Sequence, residues 1–105
     1  MRSSLIRKAL DDILSDYSKV TELSPRMAVA WFNKGNILLE MEDYTGATGA
    51  FTQAIELKPD FGEAYYNRGY IELRNGNRSR GIEDLSKAGE LGIVPAYNLI
   101  KRISR

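Results

Sequence analysis

Trp31-Phe32-Asn33-Lys34-Gly35 decides how the chain is read, because a close variant of it returns 34 residues later as Tyr65-Tyr66-Asn67-Arg68-Gly69. The match extends in both directions from there. Ile37 and Leu39 pair with Ile71 and Leu73, and Ala54, Glu56 and Leu57 pair with Ala88, Glu90 and Leu91. Upstream, Pro25 pairs with Pro59 and Leu23 with Leu57. Tyr17, Phe51 and Leu85 form one column of large apolar residues. A fixed period of this length marks a stack of supersecondary units, each too small to bury its own apolar face.

Each unit reads as two helices. In the first, apolar residues recur at helical spacing through Met27, Ala30, Trp31, Ile37, Leu38 and Met41. Ser24-Pro25 is expected to open this helix, with the serine as cap and the proline where a missing N–H costs least. Glu42-Asp43 interrupts the pattern, and Asp43 is placed to cap a second helix carrying Tyr44, Ala47, Phe51, Ala54, Ile55 and Leu57. That helix stops before Pro59, whose ring disfavours continuation. The next unit repeats the plan, with helices expected from about Asp60 to Arg74 and from about Arg78 to Leu91. Asn75-Gly76-Asn77 is the breaker between them, Asn77 is a natural cap, and Gly92 is a candidate C-cap.

The order Trp31, Gly35, Leu38, Ala47, Phe51, Ala54, Pro59 resembles the signature of the tetratricopeptide-repeat (TPR) family. The resemblance implies an all-α fold, an α-α superhelix (TPR solenoid) of about six helices. One domain over residues 1–105 is expected, with an N-terminal helix over 4–23, repeats over 25–58 and 59–92, and a capping helix over 95–104. Several residues depart from the family pattern. Lys34 and Arg68 replace leucine, Glu72 replaces tyrosine, Gly81 replaces alanine, and Ile93 stands one period after Pro59.

Residues 4–23 lack a Gly or Pro break and read as one long amphipathic helix whose later part is in phase with a repeat's second helix. The chain so begins in the middle of a repeat. That suits a small protein with a helical cap or, as the strict phase favours, the C-terminal piece of a longer array. At the other end Leu99, Ile100 and Ile103 form a face able to cover the second repeat. Glycine inside a helix costs about 0.5–1 kcal/mol against alanine. Gly46, Gly49, Gly81 and Gly89 point to modest stability; close packing explains Gly81, while nothing in the sequence accounts for Gly46 or Gly49.

Composition narrows the function classes. The chain has 105 residues, no cysteine and no histidine, and a net charge of +1. Disulfides and thiolate metal sites are excluded, and the commonest general base is missing. No phosphate-cradling glycine loop occurs. Neighbouring carboxylates such as Asp11-Asp12 and Glu83-Asp84 diverge by about 100° on a helix and do not face one another. No enzyme activity, cofactor, metal, nucleic acid or membrane is expected. With no signal peptide or apolar spanning run, a cytoplasmic location is the default expectation.

The resemblance implies that the first helix of each repeat lines a concave surface. In this sequence that surface would carry Phe32, Asn33, Asn36 and Glu40 from the first repeat. Glu63, Tyr66, Asn67, Tyr70 and Arg74 would come from the second, and Tyr97 and Lys101 from the last helix; Val29, Leu39, Leu73 and Ser104 lie beside them. Amides can bond the backbone of an extended peptide, and aromatic faces add contact area at little entropy cost. The expected partner is therefore a protein or peptide. A structural role is the alternative, with possible homo-oligomer formation through exposed terminal helices. A carboxylate clamp, as some TPR domains use, would be incomplete: Asn36, Asn67 and Lys101 match it, while Phe32 and Tyr97 occupy its other basic places. Asn77-Arg78-Ser79 fits a glycosylation sequon, a match that occurs often by chance, and its place in a repeat turn favours a helix cap instead. The basic tail of Lys101, Arg102 and Arg105 suits a helix C-terminus.

Overall fold

The computed structural model describes residues 3–104. Among them are six helices and no strand: α1 (Ser4–Leu23), α2 (Ala28–Glu40), α3 (Tyr44–Leu57), α4 (Gly62–Arg74), α5 (Arg78–Glu90) and α6 (Val94–Ile103). The chain divides between Leu57 and Lys58 into two compact units, one of α1, α2 and α3 and the other of α4, α5 and α6. Arg105 of the basic tail lies outside the described residues.

In the first unit the long unbroken α1 forms as expected, capped by Ser3, whose side chain accepts from the Ile6 amide at 3.2 Å. The expected opening of α2 at Ser24-Pro25 is corrected. Ser24 instead closes α1 by donating to the Val20 carbonyl, and a turn follows in which the Met27 amide donates to the Ser24 carbonyl. Helix α2 starts at Ala28 with no side-chain cap. The Pro25 carbonyl is held from further along, by Trp31 Nε1 at 2.9 Å. Asp43 does cap α3, its Oδ1 accepting from the Gly46 amide at 3.0 Å.

Phe51 is fully buried against Gly35, where an added Cβ would come within 2.7 Å of its ring. Here a missing side chain lets two helices approach, which offsets the conformational cost of a helical glycine. Gly46 also gains a local reason, since a Cβ there would meet the capping Asp43 carboxylate at 2.6 Å. Gly49 has nothing within 4 Å, and no packing reason for it exists.

The second unit follows the same plan with different chemistry. Helix α4 begins at Gly62, two residues after the expected Asp60, because Pro59 again precedes a turn; the Tyr65 hydroxyl donates to the Pro59 carbonyl at 3.0 Å. Asn77 does not cap α5 with its side chain. Its amide nitrogen donates to Glu72 at 2.9 Å, which satisfies a carboxylate that is only 8% exposed. Gly76 takes a φ of +84° in the turn, and Gly92 one of +99° after α5. Leu73 lies against Gly81. Helix α6 spans Val94–Ile103, with Leu99 and Ile100 packed on the core of Leu85, Ala88 and Ala96. Arg78 at the start of α5 donates to the Ile103 carbonyl at 2.6 Å and holds the end of α6.

Candidate functional site

The candidate residues fall on α2, α4 and α6, and each unit stands by itself. On α2, Phe32, Asn33 and Asn36 are half-buried and Glu40 is exposed. The Phe32 ring lies 5.7 Å from that of Phe51 at an interplanar angle of 52°, a tilted pair that ties it to the core. Val29, one turn before Asn33, is 51% exposed.

On α4, Tyr66 and Asn67 are half-buried, and Glu63, Tyr70 and Arg74 are exposed. These positions repeat those of α2 at the 34-residue period. Asn67 answers Asn33, Tyr66 answers Phe32, Tyr70 answers Asn36, and Arg74 answers Glu40. An amide thus recurs at one position on equivalent helices, flanked each time by an aromatic ring. On α6, Lys101 is exposed, while the Tyr97 ring rests on Gly89 of α5, where a Cβ would meet it at 2.6 Å. Tyr97 and Leu73 are therefore turned partly or wholly to contacts on α5.

A charged feature stands between α4 and α5. Arg68 grips Asp84 through two parallel bonds, Nε to Oδ2 and Nη2 to Oδ1, both at 2.8 Å. The side chains are 22% and 11% exposed. The bond to Asp84 raises the Arg68 pKa above its ordinary value, while burial pulls the other way. The guanidinium also lies 5.7 Å from the centre of the Tyr65 ring. A cavity of about 530 Å³ opens here, lined by Tyr65, Arg68, Asp84, Lys87 and three neighbouring residues. The corresponding cation in the first unit, Lys34, sits 5.3 Å over Trp31, and Ala50 stands where the second unit has Asp84. In the sequence Arg68 stands out only as a departure from the leucine of the family pattern. The signal that could have revealed the pair is Asp84, an acid where the preceding repeat has Ala50.

No group of three or more potential metal ligands gathers among the described residues. No described helix is long and apolar enough to cross a membrane.

Two-helix units repeating every 34 residues define a helical-repeat protein. The tetratricopeptide-repeat family models match residues 28–61 and 50–82, and the chain belongs to that family. Among curated proteins it is 32% identical over 65 residues to protein FlbA of Caulobacter vibrioides, covering 62% of this chain and 11% of that protein. It is 35% identical over 90 residues to dynein axonemal assembly factor 4 of Rattus norvegicus, covering 85% of this chain and 21% of that one. The chain thus spans about a fifth or less of the length of these relatives.

Among solved structures, the first TPR of Spaghetti (RPAP3) bound to an HSP90 peptide superposes with a TM-score of 0.86 at 20% identity, over 95% of this chain and 81% of that one. The TPR2B domain of yeast Sti1 in complex with pHsp70 gives 0.75 at 18% identity, over 83% of this chain and 70% of that one. At these identities the likeness establishes the fold.

Proposed function

We propose that the chain is a protein-interaction module in which the first helix of each repeat, α2 in one unit and α4 in the other, presents a face that binds an extended segment of another protein. The observation that carries this reading is the recurrence of Asn33 as Asn67, each half-buried beside an aromatic residue. An asparagine amide carries both donor and acceptor groups, a chemistry that suits the backbone of an extended peptide. Tyr66 and Tyr70 add flat apolar area, and Glu40, Glu63 and Arg74 add charge that can select a sequence. Lys101 and Tyr97 on α6 are proposed as outer contacts. Two fold neighbours, one solved with an HSP90 peptide and one in complex with pHsp70, support this use of the fold. The absence of histidine and cysteine, together with a family of interaction modules, supports a binding role over catalysis.

The test is a peptide array probed with the folded wild-type chain, with Asn67→Ala and with Tyr70→Ala. The reading expects sequence-selective hits that both variants lose while their helical content stays intact. Hits that survive both substitutions would place binding elsewhere.

A further inference from the structure

Asn75, Gly76 and Asn77 join α4 to α5, and of the asparagines in the chain only Asn75 is followed by glycine. Asn75 and Gly76 are both exposed. Gly76 takes a φ of +84°, and a Cβ built on it would meet nothing within 4 Å. No side chain at Gly76 therefore shields its nitrogen from the Asn75 side chain, and the flank beside it is open. The Gly76 amide donates to the Leu73 carbonyl at 3.1 Å, which holds that nitrogen in place. Arg74 and Arg78 flank the pair in sequence, and positive charge favours a nitrogen that is giving up its proton.

We infer that this turn is a self-modification site, at which Asn75 loses ammonia and becomes isoaspartate. Water is the only co-reactant. The Gly76 nitrogen gives up its proton and attacks Cγ of Asn75. The new N–Cγ bond closes a succinimide ring as the Cγ–Nδ2 bond breaks, and the side-chain nitrogen leaves with the proton as ammonia. Water then adds to either imide carbonyl and opens the ring. Opening at the main-chain carbonyl routes the chain through the former side chain as isoaspartate, and opening at Cγ gives aspartate. Closure requires Asn75 to turn from its ψ of 1° and the Gly76 amide to leave Leu73. That is a local opening of the turn, eased by the freedom of glycine.

Isoaspartate adds a carbon to the main chain between Glu72 and Asn77. These two residues are joined twice. The Asn77 main-chain amide donates to the Glu72 carbonyl at 2.8 Å, and Asn77 Nδ2 donates to Glu72 Oε2 at 2.9 Å. Displacing Asn77 deprives the Glu72 carboxylate, only 8% exposed, of that donor, which is costly for a buried polar group. The product's negative charge also falls at the C-terminal end of α4, where the helix dipole opposes it. The matching turn of the first unit reads Met41-Glu42-Asp43 and lacks this chemistry. The modification thus loosens the second unit and spares the first.

The test holds the folded chain in warm, mildly alkaline buffer and maps its peptides by mass, with isoaspartate marked by an isoaspartyl methyltransferase. Conversion confined to Asn75 is expected, and it should disappear in Asn75→Gln, whose longer side chain closes the ring far more slowly. The isoaspartyl form, separated by ion exchange through its new charge, should have a lower urea midpoint than the fresh chain. Its midpoint should also lie below that of Asn75→Asp, which adds the charge without the extra carbon. A folded chain that keeps Asn75 intact while the urea-unfolded chain converts it overturns the inference, because the turn then protects the residue. An isoaspartyl form as stable as the fresh chain, or only as weak as Asn75→Asp, overturns the displacement of Asn77.

Discussion

The Tyr65 hydroxyl donates to the Pro59 carbonyl at 3.0 Å, six residues back, and one period earlier the Trp31 indole makes the same connection to Pro25 at 2.9 Å. Two different donors serve one purpose. Each ties the turn before a first helix to that helix's own side, so a proline that cannot donate still has its carbonyl satisfied. Tyr65→Phe, which keeps the ring and removes the donor, should destabilise the chain by about 0.5–1.5 kcal/mol. A lower urea midpoint with unchanged slope is the expected reading.

Glu42 has a φ of 62°, and its counterpart one period later is Gly76 at 84°. A side chain in this left-handed region costs about 1–2 kcal/mol, partly offset because glycine loosens the unfolded chain. Glu42→Gly should therefore stabilise by about 0.5–1 kcal/mol. The reverse change, Gly76→Ala, should lower the thermal midpoint.

Gly49 and Gly81 should respond in opposite directions to alanine. Gly49 faces open space, so Gly49→Ala should add about 0.5–1 kcal/mol. At Gly81 the new methyl would meet Leu73 at 2.6 Å and the Gly69 carbonyl at 3.2 Å, and overpacking should cost about 1–3 kcal/mol. Chemical denaturation of the two variants side by side checks both signs.

The fold was legible because the period of 34 and the apolar columns report packing, which tolerates Trp31 for Tyr65 and Phe51 for Leu85. The unbroken α1 and the Asp43 cap followed from local chemistry. The helix starts did not, because Ser24 and Asn77 each had two possible uses. Ser24 ends α1 instead of opening α2, and Asn77 serves buried Glu72 instead of α5. Arg68–Asp84 stayed hidden because pairing across helices depends on which residues face each other, and a spacing of 16 residues does not reveal that. Among the candidate contacts, Asn33 and Asn67 were visible as a repeat. The attachment of Phe32 to Phe51 and of Tyr97 to Gly89 was not, since one helix alone does not reveal which side its neighbour covers.

Arg68→Ala would leave Asp84, 11% exposed, without its fork. A loss of about 1.5–3 kcal/mol is expected, from hydrogen bonds to a charged group. Adding Asp84→Ala, which reproduces Ala50 of the first unit, should recover much of it. The Arg68 pKa is raised, so its contribution is complete below the unfolded arginine value and is lost only as pH rises through the still higher folded one. Arginine titration should thus add no pH dependence near neutrality. Asp60 has the opposite sense. Its hydrogen bond to Lys58, then the charge of Lys58, lowers its pKa, so its contribution exists above the usual carboxylate value and fades as acid passes the folded one. A stability profile from neutral to acid pH, compared with Asp60→Asn, checks the sign.

The central claim is tested most directly by titrating the strongest array peptide, by calorimetry, into the wild-type chain, Asn33→Ala and Asn67→Ala, each shown to be folded. Losing one backbone-directed amide should weaken binding by about 1 kcal/mol, or several-fold, in each variant, with the array preference retained. Unchanged affinity in both folded variants would contradict the assignment of peptide binding to the faces of α2 and α4.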